Sequence, residues 1–340
     1  MTLLQVADLT VRHHGPHGPV TAVDGVSLEI PAGRTLGLVG ESGSGKSSLA
    51  RALVGLSPVH SGRVLLDGRA AGGRTLRARR RLGRRVQVVF QDPDTALDPR
   101  MTVRQTLAEA ATAFRRLDRP ARAERVAGLL DLVGLDPQLA GRLPRQLSGG
   151  QRQRVAIARA LAVEPALLIA DEITSALDVS VQAAVLNTIR DLQRRLGLAM
   201  LFIGHNLPAV CHVSDAVAVM YRGRIVESAP TADLLRAPRH PYTRALLAAV
   251  PGLPPAPPPP DAAPLPLAAA EAAAPAGGCR FAALCPVGPA RHAERTVCTE
   301  RDPQPGAAER PHRAACHFPP DPDTPGPFRP GPDTPEDERS

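Results

Sequence analysis

At 340 residues, with 43% hydrophobic and 22% charged residues, the chain is long enough for one full domain plus an appendage. Its formal charge of +8 invites a nucleic-acid reading, but the densest basic run, RTLRARRRLGRR (74–85), has no aromatic interleaving, and aromatics make up 2% of the chain. A solvated arginine face, or one meeting anionic headgroups, is expected instead, with no nucleic-acid partner. No stretch approaches the ~20 apolar residues of a bilayer span, and the N-terminus shows no signal-peptide pattern, so a soluble or peripherally attached protein is expected.

In chain order, residues 2–11 (TLLQVADLTV) and 26–30 (VSLEI) read as short strands between Gly/Pro/His turns. TLGLVG (35–40) is a compact apolar strand entering a glycine-rich loop, and a helix follows over 46–55. RVQVVF (85–90) is another buried strand, and residues 106–134 carry amphipathic helical spacing. ALLIAD (166–171) is a buried strand. Val181, Val185, Ile189, Leu192 and Leu196 then recur at steps of four, four, three and four, which is one helix face. AMLFIG (199–204) and DAVAVMY (215–221) follow, the latter turning at Arg222-Gly223 into RIVES.

Apolar strands alternating with helices give an α/β domain with a largely parallel central sheet, running to about residue 250. The Pro/Ala-rich stretch 251–278 cannot build a core and reads as a linker. A small Cys-rich module is expected over 279–318, and a disordered tail over 319–340.

The chemistry starts at Gly40-Glu41-Ser42-Gly43-Ser44-Gly45-Lys46-Ser47, followed by Ser48, which fits G-x-x-x-x-G-K-[ST] between a strand and a helix. The glycines let backbone N–H groups curl around a phosphate chain, and the helix N-terminus adds its dipole. Lys46 is the one lysine among 41 Lys+Arg. A closed loop admits a compact ammonium, whereas the broad guanidinium fork does not fit. Lys46 is expected on the β- and γ-phosphates and Ser47 on Mg²⁺. In LLIADE the strand ends at Asp171-Glu172, placing both acids at the carboxyl edge of the sheet: Asp171 for Mg²⁺, Glu172 for the attacking water. In LSGGQRQR (147–154), Ser148 can cap a helix beginning at Gly149, Gly150 and Gln151, whose N–H groups make a second anion-binding surface without a lysine.

LSGGQ resembles the signature motif of ATP-binding-cassette (ABC) proteins. The resemblance covers about residues 1–250, with the P-loop, Gln91 in VVFQDP, LSGGQ, LLIADE, SALD (175–178) and His205 in FIGHNL in the family's order. It implies an ABC-type nucleotide-binding domain, with a mixed central sheet, an antiparallel β subdomain and a helical subdomain. It further implies ATP and Mg²⁺, and a head-to-tail sandwich in which Ser148, Gly149, Gly150 and Gln151 close on nucleotide held by another subunit. By the same resemblance His205 contacts the γ-phosphate and water, Asp178 communicates across the interface, and Gln91 senses Mg²⁺ and couples to a membrane partner. Two departures stand out. His13 or His14 occupies the region where the family stacks an aromatic on adenine, and Ile173 follows the glutamate where proline is usual.

ALVGL, FQDPDTALDPRMTV, ADEITSALDVSVQAAVLN and HPYTRALLAAVP (240–251) resemble the dipeptide/oligopeptide importer branch, a pattern shared by nickel and opine systems. That implies two permease subunits, a sister ATPase or a second copy as dimer partner, an extracytoplasmic solute-binding protein acting indirectly, and a place on the cytoplasmic face of the bacterial inner membrane. Rival readings are a soluble ABC ATPase working on nucleic acid or ribosomes, a subunit of a phosphonate-degrading complex, and a degenerate scaffold. Cys279, Cys285, Cys298 and Cys316 resemble this branch's C-terminal segment. Four cysteines this close in a cytosolic chain argue against disulfides and leave a [4Fe–4S] cluster, zinc or free thiols, the cluster being favoured by the resemblance.

Overall fold

The computed structural model describes residues 1–15, 18–71, 75–92, 96–175, 177–250, 277–305 and 310–319. The expected linker, except its last two residues, and the expected tail, except its first, lie outside the described residues. The chain divides into two compact units, one of residues 1–216 with 222–224, the other of 217–221 with 225–340.

In the first unit, β1 (Thr2–Gly15) and β2 (Gly18–Pro31) form a long antiparallel hairpin with register shifts along it. β1 pairs on its other edge with β4 (Ser61–Leu66), which continues to β5 (Arg69–Ala70). Leu4, Leu9, Val11, Val23 and Ile30 are almost fully buried, while Asp8, Arg12, Ser27 and Glu29 between them are exposed. β1 and β4 approach closely at Gly62, whose φ is +92°; a Cβ there would lie 2.4 Å from the Asp8 carbonyl oxygen.

A second sheet carries β3 (Thr35–Val39), β8 (Ala199–Gly204), β7 (Leu167–Asp171) and β6 (Val86–Val89) side by side, all parallel. Every residue of β3, β7 and β8 is buried, as expected of strands covered on both faces. Parallel order sends all these strands out at one edge, the edge that receives the P-loop after β3, Glu172 after β7 and His205 after β8.

α1 (Lys46–Leu53) follows the P-loop. α2 (Leu76–Arg85) is the arginine run, capped by Thr75 Oγ1 accepting from Ala78 N at 3.2 Å. The expected helix over 106–134 is two helices, α3 (Val103–Thr112) and α4 (Arg119–Leu132). Asp118 breaks the run by accepting from Ala121 N at 2.9 Å, with Pro120 in the first turn of α4. α5 (Gly149–Leu161) packs with α3 and α4. α6 (Val179–Leu196) buries Val185, Ile189 and Leu192 as the spacing requires, but leaves Leu196 exposed at its end. α7 (Leu207–Val213) covers β3 and β8.

The second unit holds β9 (Ala216–Tyr221), apart from its first residue, then β10 (Arg224–Pro230), apart from Arg224, and β11 (Arg313–Ala314), which pairs antiparallel with β10 at Glu227 and Ser228. α8 (Thr231–Arg236), α9 (Pro241–Ala248, the HPYT helix) and α10 (Val297–Glu300) complete it. Its core is aromatic: Phe281 meets Tyr221 edge-on at 5.4 Å and Tyr242 at 5.6 Å between centroids. The Glu227 carboxylate, fully buried, accepts from the backbone N–H groups of Arg239 at 2.7 Å and His240 at 2.8 Å, and lies 2.7 Å from His312 Nε2. Among the described residues no helix is long and apolar enough to cross a membrane.

Candidate nucleotide site

The P-loop leaves β3 at Gly40, and two of its glycines adopt left-handed angles, Gly43 at φ +77° and Gly45 at φ +106°. Gly45 is the N-cap of α1, so the loop turns sharply and directs N–H groups into its own concavity. Lys46 is 4% exposed. Its Nζ donates to the carbonyls of Gly40 at 2.8 Å and Glu41 at 2.7 Å, and lies 3.9 Å from Glu172 Oε1. Burial lowers the lysine's pKa, and the nearby Glu172, Asp171 and Glu41 carboxylates oppose that shift.

The turn Arg222–Arg224 braces this loop, a contact the sequence did not announce beyond marking a turn. Gly223 N donates to the Ser44 carbonyl at 2.8 Å, its own carbonyl accepts from Asp24 N at 2.9 Å, and Arg224 pairs with Asp24 at 2.9 Å. Burial raises the pKa of Glu41, with Arg222 and Lys46 opposing. Successive residues of β1 point to opposite faces. His13 is the half-buried one, its Nε2 lying 2.9 Å from Ser48 Oγ on α1, whereas His14 is exposed.

At the end of β7, Asp171 is 5% exposed and accepts from Ser47 Oγ at 3.3 Å. Burial raises its pKa and the Ser47 hydroxyl pulls it back down. Two hard oxygen donors in contact, one of them a carboxylate that a cation would ionise, are a donor set that suits Mg²⁺. Glu172 takes φ +50°, a left-handed angle rare for a non-glycine residue, and its N–H donates to the Ile203 carbonyl at 2.9 Å. That angle turns the chain out of the sheet and puts Oε2 of Glu172 3.4 Å from His205 Nδ1. Ile173, the departure from proline, is buried at 2% exposure. Gln91 is exposed and donates from Nε2 to Ser175 Oγ at 3.2 Å; Ser175 in turn donates to the Glu172 carbonyl at 2.9 Å. Ser175 is thus a link the motif reading passed over, although it opens the SALD stretch.

Ser148 caps α5 in a reciprocal box: its Oγ accepts from Gln151 N at 3.3 Å, and Gln151 Oε1 accepts from Ser148 N at 2.9 Å. Ser148 is exposed, while Gly150 is buried. A Cβ on Gly150 would lie 2.6 Å from Val181 Cγ1, so this glycine allows α5 and α6 to approach. Asp178 caps α6, accepting from Ser180 Oγ at 2.7 Å and Val181 N at 2.9 Å, and these bonds lower its pKa, the Ser180 hydroxyl first. The P-loop, Asp171, Glu172 and His205 are therefore gathered at one sheet edge, and the Ser148 and Asp178 caps lie on two helices that touch.

All five cysteines are free. In the second unit Cys279 N donates to the Cys298 carbonyl at 2.8 Å. Cys285 is pushed up to about 12 and Cys316 up to about 11, chiefly by burial, with neighbouring cysteines adding to the rise. Among the described residues no group of three or more His, Cys, Asp or Glu is arranged to hold a metal ion, so the iron–sulfur expectation gains no support from this geometry. Cys211 stands apart in α7, its thiol pushed up to about 12 by burial.

Comparison with known proteins gives two family matches: the ABC transporter model over residues 23–175, and the oligopeptide/dipeptide transporter C-terminal region over residues 226–291. The chain is 48% identical over 268 residues to a probable peptide ABC transporter ATP-binding protein, y4tS, of Sinorhizobium fredii, covering 79% of this chain and 76% of that one. It is 47% identical over 253 residues to the oligopeptide transport ATP-binding protein OppF of Bacillus subtilis, covering 73% and 82%. Among solved structures, the dimeric post-hydrolysis state of the ATP-binding cassette MJ0796 bound to ADP and Pi matches with a TM-score of 0.61 at 25% identity, covering 67% of this chain and 99% of that one.

Proposed function

This chain belongs to the ABC transporter ATP-binding proteins, and from that premise we propose that it is the ATP-hydrolysing subunit of an importer that energises uptake of dipeptides or oligopeptides. The observation that carries the reading is the meeting of Lys46, Ser47, Asp171, Glu172 and His205 at one sheet edge, in a chain whose C-terminal region matches the peptide-transporter type.

In the mechanism, the triphosphate enters the concavity of Gly40–Ser48, and Lys46 exchanges its contacts with the Gly40 and Glu41 carbonyls for the β- and γ-phosphates. Ser47, Asp171 and Gln91 would hold Mg²⁺, which would neutralise charge developing on the phosphates. Glu172 orients the water for attack on the γ-phosphorus, and His205, 3.4 Å from it, positions that carboxylate and contacts the γ-phosphate. Ser148 with Gly149, Gly150 and Gln151 completes the site on a second ATPase subunit, a sister chain or another copy, and Asp178 lies at that interface. The adenine stacks on His13, held by Ser48. Closure passes through the Gln91–Ser175 contact to two transmembrane permease subunits, which receive solute from an external binding protein, while this subunit sits peripherally at the cytoplasmic face of the membrane.

The domain layout belongs to the same proposal: an ATPase domain over 1–250, a linker over 251–278, a Cys-rich module over 279–318 and a tail over 319–340. Its narrowest part is a [4Fe–4S] cluster on Cys279, Cys285, Cys298 and Cys316. What supports it is the placing of four cysteines between residues 279 and 316. The test of the main reading is peptide uptake into vesicles carrying the assembled complex. Uptake that requires ATP hydrolysis by this subunit is expected; hydrolysis without peptide movement would remove the importer assignment.

A further inference from the structure

The arginine run of the sequence forms one wall of an open groove in the first unit. Its volume is about 1060 Å³, and α2 lines it against β4, β5 and Phe114. Arg69, Arg77, Arg80, Arg81, Arg84 and Arg85 all reach it, and among the described lining residues the one acid is Asp67. Asp67 is taken by Arg85 in an ion pair. Among the described residues the other five arginines have no ion pair, and Arg69, Arg77, Arg80, Arg81 and Arg84 are exposed.

Five unneutralised guanidinium groups around one groove repel one another and lower the stability of the fold, unless an anion offsets them. The site of the ATP reaction does not use any of them. An apolar component accompanies the charge. Leu76, at the start of α2, is 72% exposed, and Phe114, also in the lining, is 37% exposed. The turn after α1 lies against the same helix, since a Cβ on Gly55 would meet Leu82 Cδ2 at 3.3 Å, and the next residue, Leu56, is 65% exposed. Only Leu82 of α2 is buried, so the helix is a surface element with a basic face and an exposed leucine at its start.

We propose that this groove and α2 are a direct contact for anionic membrane lipid, with the arginines on the headgroup phosphates and Leu76 at the headgroup–acyl boundary. Charge complementarity selects an anionic surface, and the residue types select lipid over nucleic acid. Among the described residues the lining has one aromatic and no Asn or Gln to read or stack bases, whereas guanidinium groups with exposed leucines match a phosphate-rich interface with an apolar layer beneath. The proposal goes beyond the importer reading, because permeases could hold an ATPase subunit at the membrane without any lipid contact of its own.

The experiment is cosedimentation of the full purified chain, without permeases, with vesicles of phosphatidylcholine alone or mixed with phosphatidylglycerol. Each basic side chain near an anionic surface strengthens binding roughly fivefold. Binding is expected only to the anionic vesicles and is expected to weaken as salt shortens the screening length. Reversal at Arg77→Glu, Arg80→Glu, Arg81→Glu and Arg84→Glu together is expected to lower partitioning at least ~100-fold, and the milder Arg80→Gln with Arg81→Gln about tenfold or more. Both variants are expected to keep the parent's basal ATPase rate, which reports an intact fold. Reversal of Arg190, Arg194 and Arg195 on α6 serves as the control and is expected to change binding little. Parent-like vesicle binding by both groove variants overturns the proposal, as does parent protein that ignores anionic vesicles or prefers an RNA hairpin at equal salt. Peptide uptake by the complex reads the importer assignment separately, so the two can fail independently.

Discussion

Ser47 and Asp171, separated by 124 residues in the chain, meet through a hydrogen bond of 3.3 Å from the serine hydroxyl to Asp171 Oδ1. The bond joins the first residues of α1 to the end of β7 and sets two oxygen donors side by side in a buried corner. Replacing Asp171 by asparagine keeps the shape but removes the charge that a divalent cation needs. Asp171→Asn is therefore expected to lower ATP hydrolysis by roughly 100-fold or more and to raise the Mg²⁺ concentration at half-maximal rate. A magnesium titration of the ATPase rate checks both.

Glu172 is held by its left-handed backbone angle with one carboxylate oxygen toward Lys46 and the other toward His205. Glu172→Gln preserves that geometry and removes the base. Hydrolysis is expected to fall by ~10²- to 10⁴-fold, with ATP binding intact and the dimer trapped. Size-exclusion chromatography with and without ATP, beside a steady-state assay, reads the two consequences; an unchanged hydrolysis rate would remove Glu172 from its role.

The 2.9 Å contact between His13 and Ser48 fixes the imidazole that is proposed to face adenine. An imidazole stacks less strongly than a larger ring. His13→Tyr is expected to tighten ATP binding several-fold, by about 1 kcal/mol, and His13→Ala to weaken it similarly. ATP is expected to be preferred over GTP by the parent, and competition binding with both nucleotides tests this; equal turnover of the two would defeat it.

His240 is fully buried beside Glu227, and its pKa is lowered from 6.5 to about 4, chiefly by burial, with Glu227 opposing. The unfolded chain therefore takes up a proton between these values while the folded chain does not, so stability is lost as pH falls through that window. The loss on going from pH 7 to pH 4 is on the order of 3 kcal/mol from this group alone. Urea unfolding of the parent is expected to show that slope, and His240→Gln is expected to flatten it.

The cluster proposal predicts protein that is brown and contains iron when purified anaerobically, with both features lost in Cys285→Ser. Iron analysis and visible absorbance decide it. Colourless, iron-free parent protein leaves four free thiols in its place.

Much of the fold was legible because its signals are local. β8 was placed to the residue, and β3, β7 and α6 to within a residue or two, since buried parallel strands read as unbroken apolar runs. The P-loop and the acids after β7 were legible because spacing and sheet edge fix them together. Other parts were hidden by competing effects. The arginines of α2 masked a helix by leaving only Leu82 to bury, and β4 is too exposed to show an apolar pattern. The single helix expected over 106–134 became two because the Asp118 cap outweighs the continuous amphipathic spacing. The brace of Gly223 on Ser44 and the Gln91–Ser175 link depend on tertiary approach, which no local pattern encodes.

The central claim is that Lys46 on one subunit and Ser148 on another act on a single ATP molecule. The most direct measurement is the ATPase rate of the assembled complex carrying Ser148→Arg, whose bulk occupies the exposed cap of α5. The account predicts a fall of at least ~100-fold in hydrolysis with ATP binding to the P-loop retained. A parent-like rate would contradict it.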